Sequence, residues 1–272
     1  MYHGISSNSP RLWIFDLDGV VYRGSEPQPY AREFVLHIRS RGNLVRFLTN
    51  KAAHSREDYA QILTSLGIPT SSAEVMTSGY ATALYLAEKG TAGKTVYRIG
   101  EEGIDRELSS FGFRVLKNGE SPSEKIDYVV VGMDRSFTYE KLARAQKAIL
   151  DGAKFIATNE DPTLPVENGR LLPGAGCMVA AVRVATSTEP FVVGKPHVYS
   201  LQKLLETTNM TPEQTVVVGD RLDTDILAGK RIGATTVLVL TGVTTKEQAE
   251  AAAEEMKPDI IVETLQELIP CT

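Results

Sequence analysis

Cysteine is scarce in this sequence, and its scarcity excludes several classes of protein. The 272 residues include two cysteines, Cys177 and Cys271, which lie far apart and lack the spacing of a metal site. They do not indicate a disulfide framework, so we expect a reduced, intracellular setting. The N-terminal segment is polar, without the apolar centre of a signal peptide. No stretch approaches the roughly 18 apolar residues of a membrane span, and we expect a cytoplasmic protein.

The sequence also lacks an excess of positive charge. It has 29 Lys and Arg residues against 34 Asp and Glu residues, which gives a net charge of -5. Proteins that bind nucleic acids or anionic membranes usually present a basic face, so this balance disfavours both partners. The length allows one large domain or two of modest size.

Short apolar segments alternate with helical patterns along the chain, which predicts an α/β fold. The predicted strands are 12–15, 43–48, 73–76, 94–100, 126–134, 153–158, 190–194, 214–219 and 234–240, and the clearest predicted helices are 30–41, 55–67, 101–112 and 138–152. This alternation is typical of right-handed crossovers and a mostly parallel sheet. We predict that 1–77 and 188–272 form one α/β domain and that 78–187 is a second α/β domain inserted into it.

Chemically reactive side chains follow several of the predicted strands. The segment WIFDLDGVVYRG contains a short apolar strand that ends in Asp16 and Asp18, and other strands end in Thr49, Lys195 and Asp220. Ligands of an open parallel sheet bind beyond the carboxyl ends of its strands. We therefore expect these side chains to meet at one edge of the sheet.

Three carboxylates brought together at such an edge would repel one another. Asp16 and Asp18 are two residues apart and share a face of an extended strand, and Asp220 adds a third acid. Two carboxylates about 4 Å apart repel by roughly 4 kcal/mol at an effective dielectric near 20. Protons or a cation must relieve this repulsion, and a few carboxylates beside phosphate oxygens suit Mg²⁺. Lys195 and Thr49 add a positive charge and a neutral donor for a bound oxyanion.

The segments DLDGV, LTN, GKP and GDRLDTD, in this order and spacing, resemble the four motifs of the haloacid dehalogenase (HAD) superfamily. The block between the second and third motifs is similar to the cap of the NagD-like branch, which includes p-nitrophenylphosphatases, phosphoglycolate phosphatases and pyridoxal phosphate phosphatases. The resemblance implies a Rossmann-like, HAD-like catalytic core formed by 1–77 and 188–272, with 78–187 as an inserted α/β cap domain.

The resemblance also implies a role for each acid and for the lysine. Asp16 would be the nucleophile and a metal ligand, and Asp18 would be the general acid and base and bind the metal through its backbone carbonyl. Lys195 would bridge Asp16 and the phosphate. Asp220 would complete the Mg²⁺ site, and Asp225 would support it from a second position.

A second group of residues is predicted to bind the substrate. Thr49 and Asn50 would hold the phosphate. Lys51 stands where the branch often has Asn, and it is either a further cation near the phosphate or a solvated surface lysine. Asn159 and Asp161 either face the substrate or form a turn before the following proline.

These residues predict a Mg²⁺-dependent phosphatase that hydrolyses small phosphorylated metabolites through an aspartyl-phosphate. A dehalogenase of the same fold would need neither Asp18 nor Asp220. A phosphotransferase or mutase stays open as an alternative, as does a non-catalytic binding module. A binding module could have lost Asp16 or Asp18, whereas this sequence has both. Relatives use the cap for dimer contacts, which adds a homodimer as a hypothesis.

Overall fold

The computed structural model describes residues 11–116, 120, 125–165 and 170–269. Its strands are, in chain order, β1 (Leu12–Phe15), β2 (Tyr22–Arg23), β3 (Glu26–Pro27), β4 (Leu44–Thr49), β5 (Val75–Thr77), β6 (Thr95–Ile99), β7 (Arg114–Leu116), β8 (Tyr128–Val131), β9 (Lys154–Ala157), β10 (Thr163–Pro165), β11 (Leu171–Pro173), β12 (Phe191–Val192), β13 (Thr215–Gly219), β14 (Thr235–Val239) and β15 (Ile260–Val262). Its α-helices are α1 (Ala31–Ser40), α2 (Arg56–Ser65), α3 (Ser78–Ala87), α4 (Glu102–Ser110), α5 (Tyr139–Leu150), α6 (Ala175–Thr186), α7 (Tyr199–Thr208), α8 (Leu227–Ile232) and α9 (Lys246–Glu250).

The chain divides into two units. The first unit comprises the residues up to Thr49, Ala60–Met76 and the residues from Lys195 onward, and the second comprises Asn50–Tyr59 and Thr77–Gly194. The chain therefore passes between the units four times, at 49–50, 59–60, 76–77 and 194–195.

The first unit contains a six-stranded sheet in the order β15-β14-β13-β1-β4-β5. Strand β1 lies near its centre and pairs in parallel with β13 and β4, so that Phe15 is opposite Val218 on one side and Phe47 on the other. All four residues of β1 are buried, which is typical of a parallel strand covered on both faces. On one face the Phe34 ring of α1 packs edge-on against Trp13, with ring centroids 5.2 Å apart.

The second unit contains its own five-stranded sheet in the order β12-β9-β8-β6-β7, and its strand pairs are parallel. Residues of α5 and α6 join the strands in one apolar core. Helix α5 begins where the sequence predicts, since the side chain of Thr138 accepts a hydrogen bond from the backbone N–H of Lys141. The α/β fold class and the parallel sheets predicted from the sequence are confirmed.

The two units differ from the predicted domains at two segments and at Thr77, which lies in the second unit. Strand β12, predicted to belong to the first domain, pairs with β9 in the second sheet, and residues 188–194 accordingly lie in the second unit. Residues 50–59 also lie in the second unit, where the N–H of Gly103 donates to the carbonyl of Ala53 at 3.1 Å. Both assignments depend on pairing with residues distant along the chain, which local patterns do not reveal.

Among the described residues, no helix has both the length and the apolar character needed to cross a membrane.

Candidate active site

The carboxyl ends of three adjacent strands in the first unit carry predicted site residues. Asp16 follows β1, Thr49 ends β4 and Asp220 follows β13, and these strands are neighbours in the order β13-β1-β4. The backbone N–H of Asp16 donates to the carbonyl of Val218 at 2.9 Å, which extends the sheet pairing to the first acid. The sheet order thus brings the ends of the first, second and fourth motifs to one edge, as predicted.

Lys195 lies at the centre of this edge and contacts two carboxylates. Its Nζ lies 2.6 Å from Asp16 Oδ1 and 2.6 Å from Asp225 Oδ1, and it also donates to the carbonyl of Leu48 at 3.1 Å. The lysine side chain is 3% exposed and that of Asp16 is 11% exposed. A buried ammonium with two carboxylate partners holds both acids in place, since charge-assisted hydrogen bonds are strong when they are removed from water.

Asp220 is held by the loop that follows β14. Its Oδ2 accepts a hydrogen bond from the backbone N–H of Val243 at 2.8 Å, and its carbonyl accepts one from Thr244 at 3.2 Å. A Cβ on Gly242 would lie 1.9 Å from Asp220 Oδ2, so only glycine allows this loop to approach the carboxylate. The side chain of Asp220 is therefore confined from the side of the loop as well as by β13.

Asp225 lies on a short π-helical segment, Leu222–Ile226, that begins three residues after the end of β13. Its Oδ2 accepts from the backbone N–H of Arg221 at 3.2 Å, while its Oδ1 accepts from Lys195. Asp223 lies on the same segment but is 60% exposed and pairs with Arg221. The segment therefore presents one buried acid to the cluster and one exposed acid to solvent.

Burial changes the protonation of this cluster. Burial, with smaller contributions from the charges of Asp225 and Asp18, raises the pKa of Asp16 to about 7 against the opposing charge of Lys195. Burial and the charges of Asp225 and Asp16 also raise the pKa of Asp220 well above its ordinary value. Burial alone would lower the pKa of Lys195, but the charges of Asp16 and Asp225 outweigh it and raise that pKa. Without a cation the cluster therefore takes up protons, because three ionised acids would exceed the charge that its lysine neutralises.

The side chains of Asp16, Asp220 and Asp225 fit a divalent cation. Each offers a carboxylate oxygen, and the three atoms lie within 4.8 Å of one another. Ligand oxygens on opposite sides of an ion bound at 2.0–2.6 Å would be about 4–5 Å apart. Three ionised carboxylates and one ammonium leave two negative charges, which a divalent cation would balance. The donor set of hard oxygen atoms is the kind that Mg²⁺ prefers.

Asp18 lies outside this group of three but beside it. It occupies a tight turn in which the N–H of Val21 donates to the carbonyl of Leu17 at 2.9 Å, and it forms a bridge with Tyr22. Its side chain is partly exposed, whereas Leu17 between the two acids is fully buried. Asp16 and Asp18 are both half-buried, so the turn places two acids at the carboxyl edge of the first sheet.

The predicted substrate-binding residues divide between the two units. Thr49, at the end of β4, is 3% exposed in the first unit, whereas Asn50, Asn159 and Asp161 are hydrogen-bonded together in the second. Asn50 Nδ2 donates to Asp161 Oδ1 at 3.1 Å, and Asn159 Nδ2 donates to the Asn50 carbonyl at 2.7 Å. Lys51 is half-buried. The contacts of these residues with a substrate stay predictions.

Several groups that contact the predicted site residues were not themselves predicted from the sequence. They are the Leu48 carbonyl, the Ser78 hydroxyl and the loop of Gly242 and Val243. A backbone carbonyl and a lone serine give no signal in a sequence. The loop could have been found, because TGV directly follows the apolar segment 234–240 and so lies at a strand end.

Known proteins resemble this chain along nearly its whole length. Residues 13–114 match the family model of haloacid dehalogenase-like hydrolases, and residues 192–268 match a second, HAD-hydrolase-like model. An acid sugar phosphatase of Staphylococcus saprophyticus is 38% identical over 95% of this chain and 96% of its own length, and a 5'-nucleotidase of Bacillus subtilis is 39% identical over 95% and 97%. The glycerol phosphate phosphatase of Mycobacterium tuberculosis, solved in complex with magnesium, superposes with a TM-score of 0.86 at 35% identity, covering 95% of this chain and 76% of that one. The chain therefore belongs to the haloacid dehalogenase-like hydrolases.

Proposed function

We propose that the protein hydrolyses phosphomonoesters of small metabolites with the help of Mg²⁺. The observation that carries this proposal is the cluster of Asp16, Asp220 and Asp225 around Lys195, at the carboxyl edge of the first sheet. A structural ion pair would need one acid for one lysine. Three buried acids around one lysine instead favour a site that takes up a cation, and a phosphate monoester brings negative charge that such a cation neutralises.

Asp16 is the nucleophile in the proposed mechanism. Lys195 engages its Oδ1, which orients the carboxylate and favours its ionised form against the effect of burial. A carboxylate oxygen of Asp16 attacks phosphorus, and the bond between phosphorus and the ester oxygen breaks. Asp18 donates a proton to the departing oxygen, so the product leaves as an alcohol.

The second half of the reaction releases phosphate. Asp18, now ionised, takes a proton from a water molecule, and the water oxygen attacks the phosphorus of the aspartyl-phosphate. The bond between phosphorus and the Asp16 oxygen breaks, which regenerates the carboxylate and releases inorganic phosphate. Bound to the oxygens of Asp16, Asp220 and Asp225, Mg²⁺ would supply positive charge that keeps these acids ionised and neutralises the phosphate. We further propose that the Asp18 carbonyl contributes to this site and that Thr49 and Asn50 hold the phosphate.

The relatives support a small phosphorylated metabolite as the substrate, and they suggest three classes to test. Their names indicate sugar phosphates, nucleoside monophosphates and glycerol phosphate. We infer that the first unit is catalytic, because every charged group of the cluster belongs to it, and that the second unit, the predicted cap, selects among substrates. A cytoplasmic location and a homodimer stay predictions.

Phosphate release from a panel of phosphomonoesters tests the proposal. The panel contains p-nitrophenyl phosphate and one member of each of the three classes, assayed with Mg²⁺ and with EDTA. We expect Mg²⁺-dependent release that Asp16→Asn lowers by at least about a thousandfold. Asp223→Asn is the matched control, because Asp223 is an exposed acid outside the cluster, and it should retain activity. Turnover by Asp16→Asn at the wild-type rate, or absence of release from every ester, would contradict the proposal. Transfer of the phosphoryl group to an added alcohol instead of water would identify a phosphotransferase.

A further inference from the structure

Five buried residues of the second unit form one hydrogen-bonded cluster, and three of them, Asn50, Ser78 and Gly194, lie within two residues of a passage of the chain between units. We call Asn50, Ser78, Thr158, Asn159 and Gly194 the Asn50 clasp. The Asn50 carbonyl accepts hydrogen bonds from Ser78 Oγ at 2.5 Å and from Asn159 Nδ2 at 2.7 Å. The N–H of Gly194 donates to the Thr158 carbonyl at 2.8 Å. These bonds join segments that are far apart in the sequence at one point.

The Asn50 clasp is closely packed as well as hydrogen-bonded. A Cβ on Gly194 would lie 2.5 Å from the Thr158 carbonyl oxygen and 2.6 Å from Asn50 Oδ1. Both donor residues are buried, since Asn159 is 4% exposed and Ser78 is 1% exposed. If either donor to the Asn50 carbonyl were removed, a water molecule could not readily replace it, because the close packing leaves no space for one.

The polar side-chain atoms of Asn159 are hydrogen-bonded to other groups of the protein. Its two N–H donors go to the Asn50 carbonyl and to Thr158 Oγ1, the latter at 3.2 Å, and its Oδ1 accepts from the backbone N–H of Asp161 at 3.1 Å. Asp161 Oδ1 in turn accepts from Asn50 Nδ2 at 3.1 Å, which closes a ring of hydrogen bonds. An amide with both donors engaged in this way has none left for a phosphate oxygen.

The Asn50 clasp is covalently adjacent to two groups of the proposed active site. Thr49 directly precedes Asn50, and Lys195 directly follows Gly194. Within the first unit, Lys195 Nζ donates to the carbonyl of Leu48, the residue before Thr49. Thr49 therefore lies between two residues whose carbonyls are each fixed by a side-chain donor, Leu48 by Lys195 and Asn50 by Ser78 and Asn159.

We propose that Asn159 is a positioning residue for the phosphatase reaction: through the Asn50 carbonyl it sets the orientation of Thr49. The proposal rests on the proposed function, in which Thr49 holds the phosphate. In this proposal Asn159 acts on Thr49 through the backbone and does not contact the substrate. Release of the Asn50 carbonyl, which belongs to the peptide between Asn50 and Lys51, would let the backbone of Asn50 rotate and so displace Thr49, and small displacements of this kind are costly to catalysis.

Asn159→Asp tests this role with little change of shape. The variant keeps an oxygen to accept from Asp161 but places a carboxylate oxygen where an N–H donated to the Asn50 carbonyl. The matched control is Asn43→Asp in the first unit, where Asn43 Nδ2 donates to the Ile38 carbonyl at 3.1 Å and its Oδ1 accepts from the Arg11 N–H at 2.8 Å. The measurements are kcat, KM, the inhibition constant of inorganic phosphate, and hydrogen exchange of the backbone amides in 50–58.

For Asn159→Asp we expect kcat/KM to fall by about tenfold or more, with a similar rise in the inhibition constant of phosphate. The amides of 50–58 should exchange about tenfold faster than in the wild type. Asn43→Asp should stay within about twofold of the wild type in all of these quantities. Ser78→Ala, which removes the other donor to the same carbonyl, should shift them in the same direction. Its control is Thr186→Val, which removes a buried hydroxyl bonded to the Val182 carbonyl on α6.

Three results would overturn the positioning role in distinguishable ways. If Asn159→Asp matches Asn43→Asp in kinetics and exchange, Asn159 does not position Thr49, and the proposed phosphatase activity is unaffected. If activity falls but exchange in 50–58 does not change, Asn159 acts by direct contact with the substrate instead. If the wild-type protein releases no phosphate from any ester, the proposed function fails and the positioning role fails with it.

Discussion

Raising the pH in the absence of Mg²⁺ should destabilise this protein, and adding Mg²⁺ should reverse the loss. Burial raises the pKa of Asp16 from 3.8 to about 7, and the pKa of Asp220 is raised in the same direction. Between the ordinary and the raised pKa, the folded protein binds protons that the unfolded chain has released. The free energy of unfolding therefore decreases as the pH rises through this window, from about 4 to about 7.

The geometry of the cluster sets the size of this effect. Two ionised carboxylates whose oxygens lie within 4.8 Å of each other repel by at least about 3 kcal/mol at an effective dielectric near 20, and Lys195 offsets part of the repulsion among the three. Mg²⁺ at about 100 times its dissociation constant would add close to 3 kcal/mol to the free energy of unfolding. For a chain of this length that corresponds to a rise in Tm of roughly 5–10 °C near pH 8. Near pH 5.5 protons compete with the metal, and the rise should be at most about half as large.

Thermal unfolding followed by circular dichroism, with Mg²⁺ or with EDTA at the two pH values, measures this coupling. Asp220→Asn supplies the comparison, because it removes one charge and keeps an oxygen to accept from the Val243 N–H. We expect the variant to be more stable than the wild type near pH 8 in EDTA and to lose the Mg²⁺-dependent rise in Tm. An equal Mg²⁺ effect at both pH values, or an undiminished effect in Asp220→Asn, would refute the link between the buried charges and the metal.

Three further predictions follow from single contacts. Lys195→Met should lower kcat by at least about a hundredfold, because the lysine contacts the proposed nucleophile at 2.6 Å, and steady-state kinetics would check it. Lys141→Met in the second unit should lower the free energy of unfolding by about 3–5 kcal/mol in urea titrations, because the carboxylate of Asp134, 1% exposed, loses the ammonium that contacts it at 2.7 Å. Gly242→Ala should weaken Mg²⁺ binding by about tenfold or more in calorimetric titrations, because its Cβ would displace Asp220. A wild-type value in any of these variants would contradict the role inferred from the corresponding contact.

The sequence predicted the first unit's site better than its boundaries. A buried apolar strand that ends in two acids, DLDGV, is recognisable because strand periodicity and the carboxyl-end rule are local properties. Asp16, Thr49 and Asp220 lie where these rules place them. Lys195 also reaches the cluster, but not from a strand of the same sheet as predicted: β12, just before it, pairs with β9 in the second sheet.

Only the tertiary structure decided which groups surround those acids. Asp225 reaches Lys195 because a π-helical segment follows β13, and Gly242 and Val243 confine Asp220 from a loop more than twenty residues away along the chain. The same holds for the Asn50 clasp, whose donors come from α3 and from the end of β9. The sequence by itself determined the kind of chemistry, because side-chain types and strand ends are read locally. The tertiary structure determined protonation and positioning, because burial, charge separation and hydrogen-bond partners depend on residues that only folding brings together.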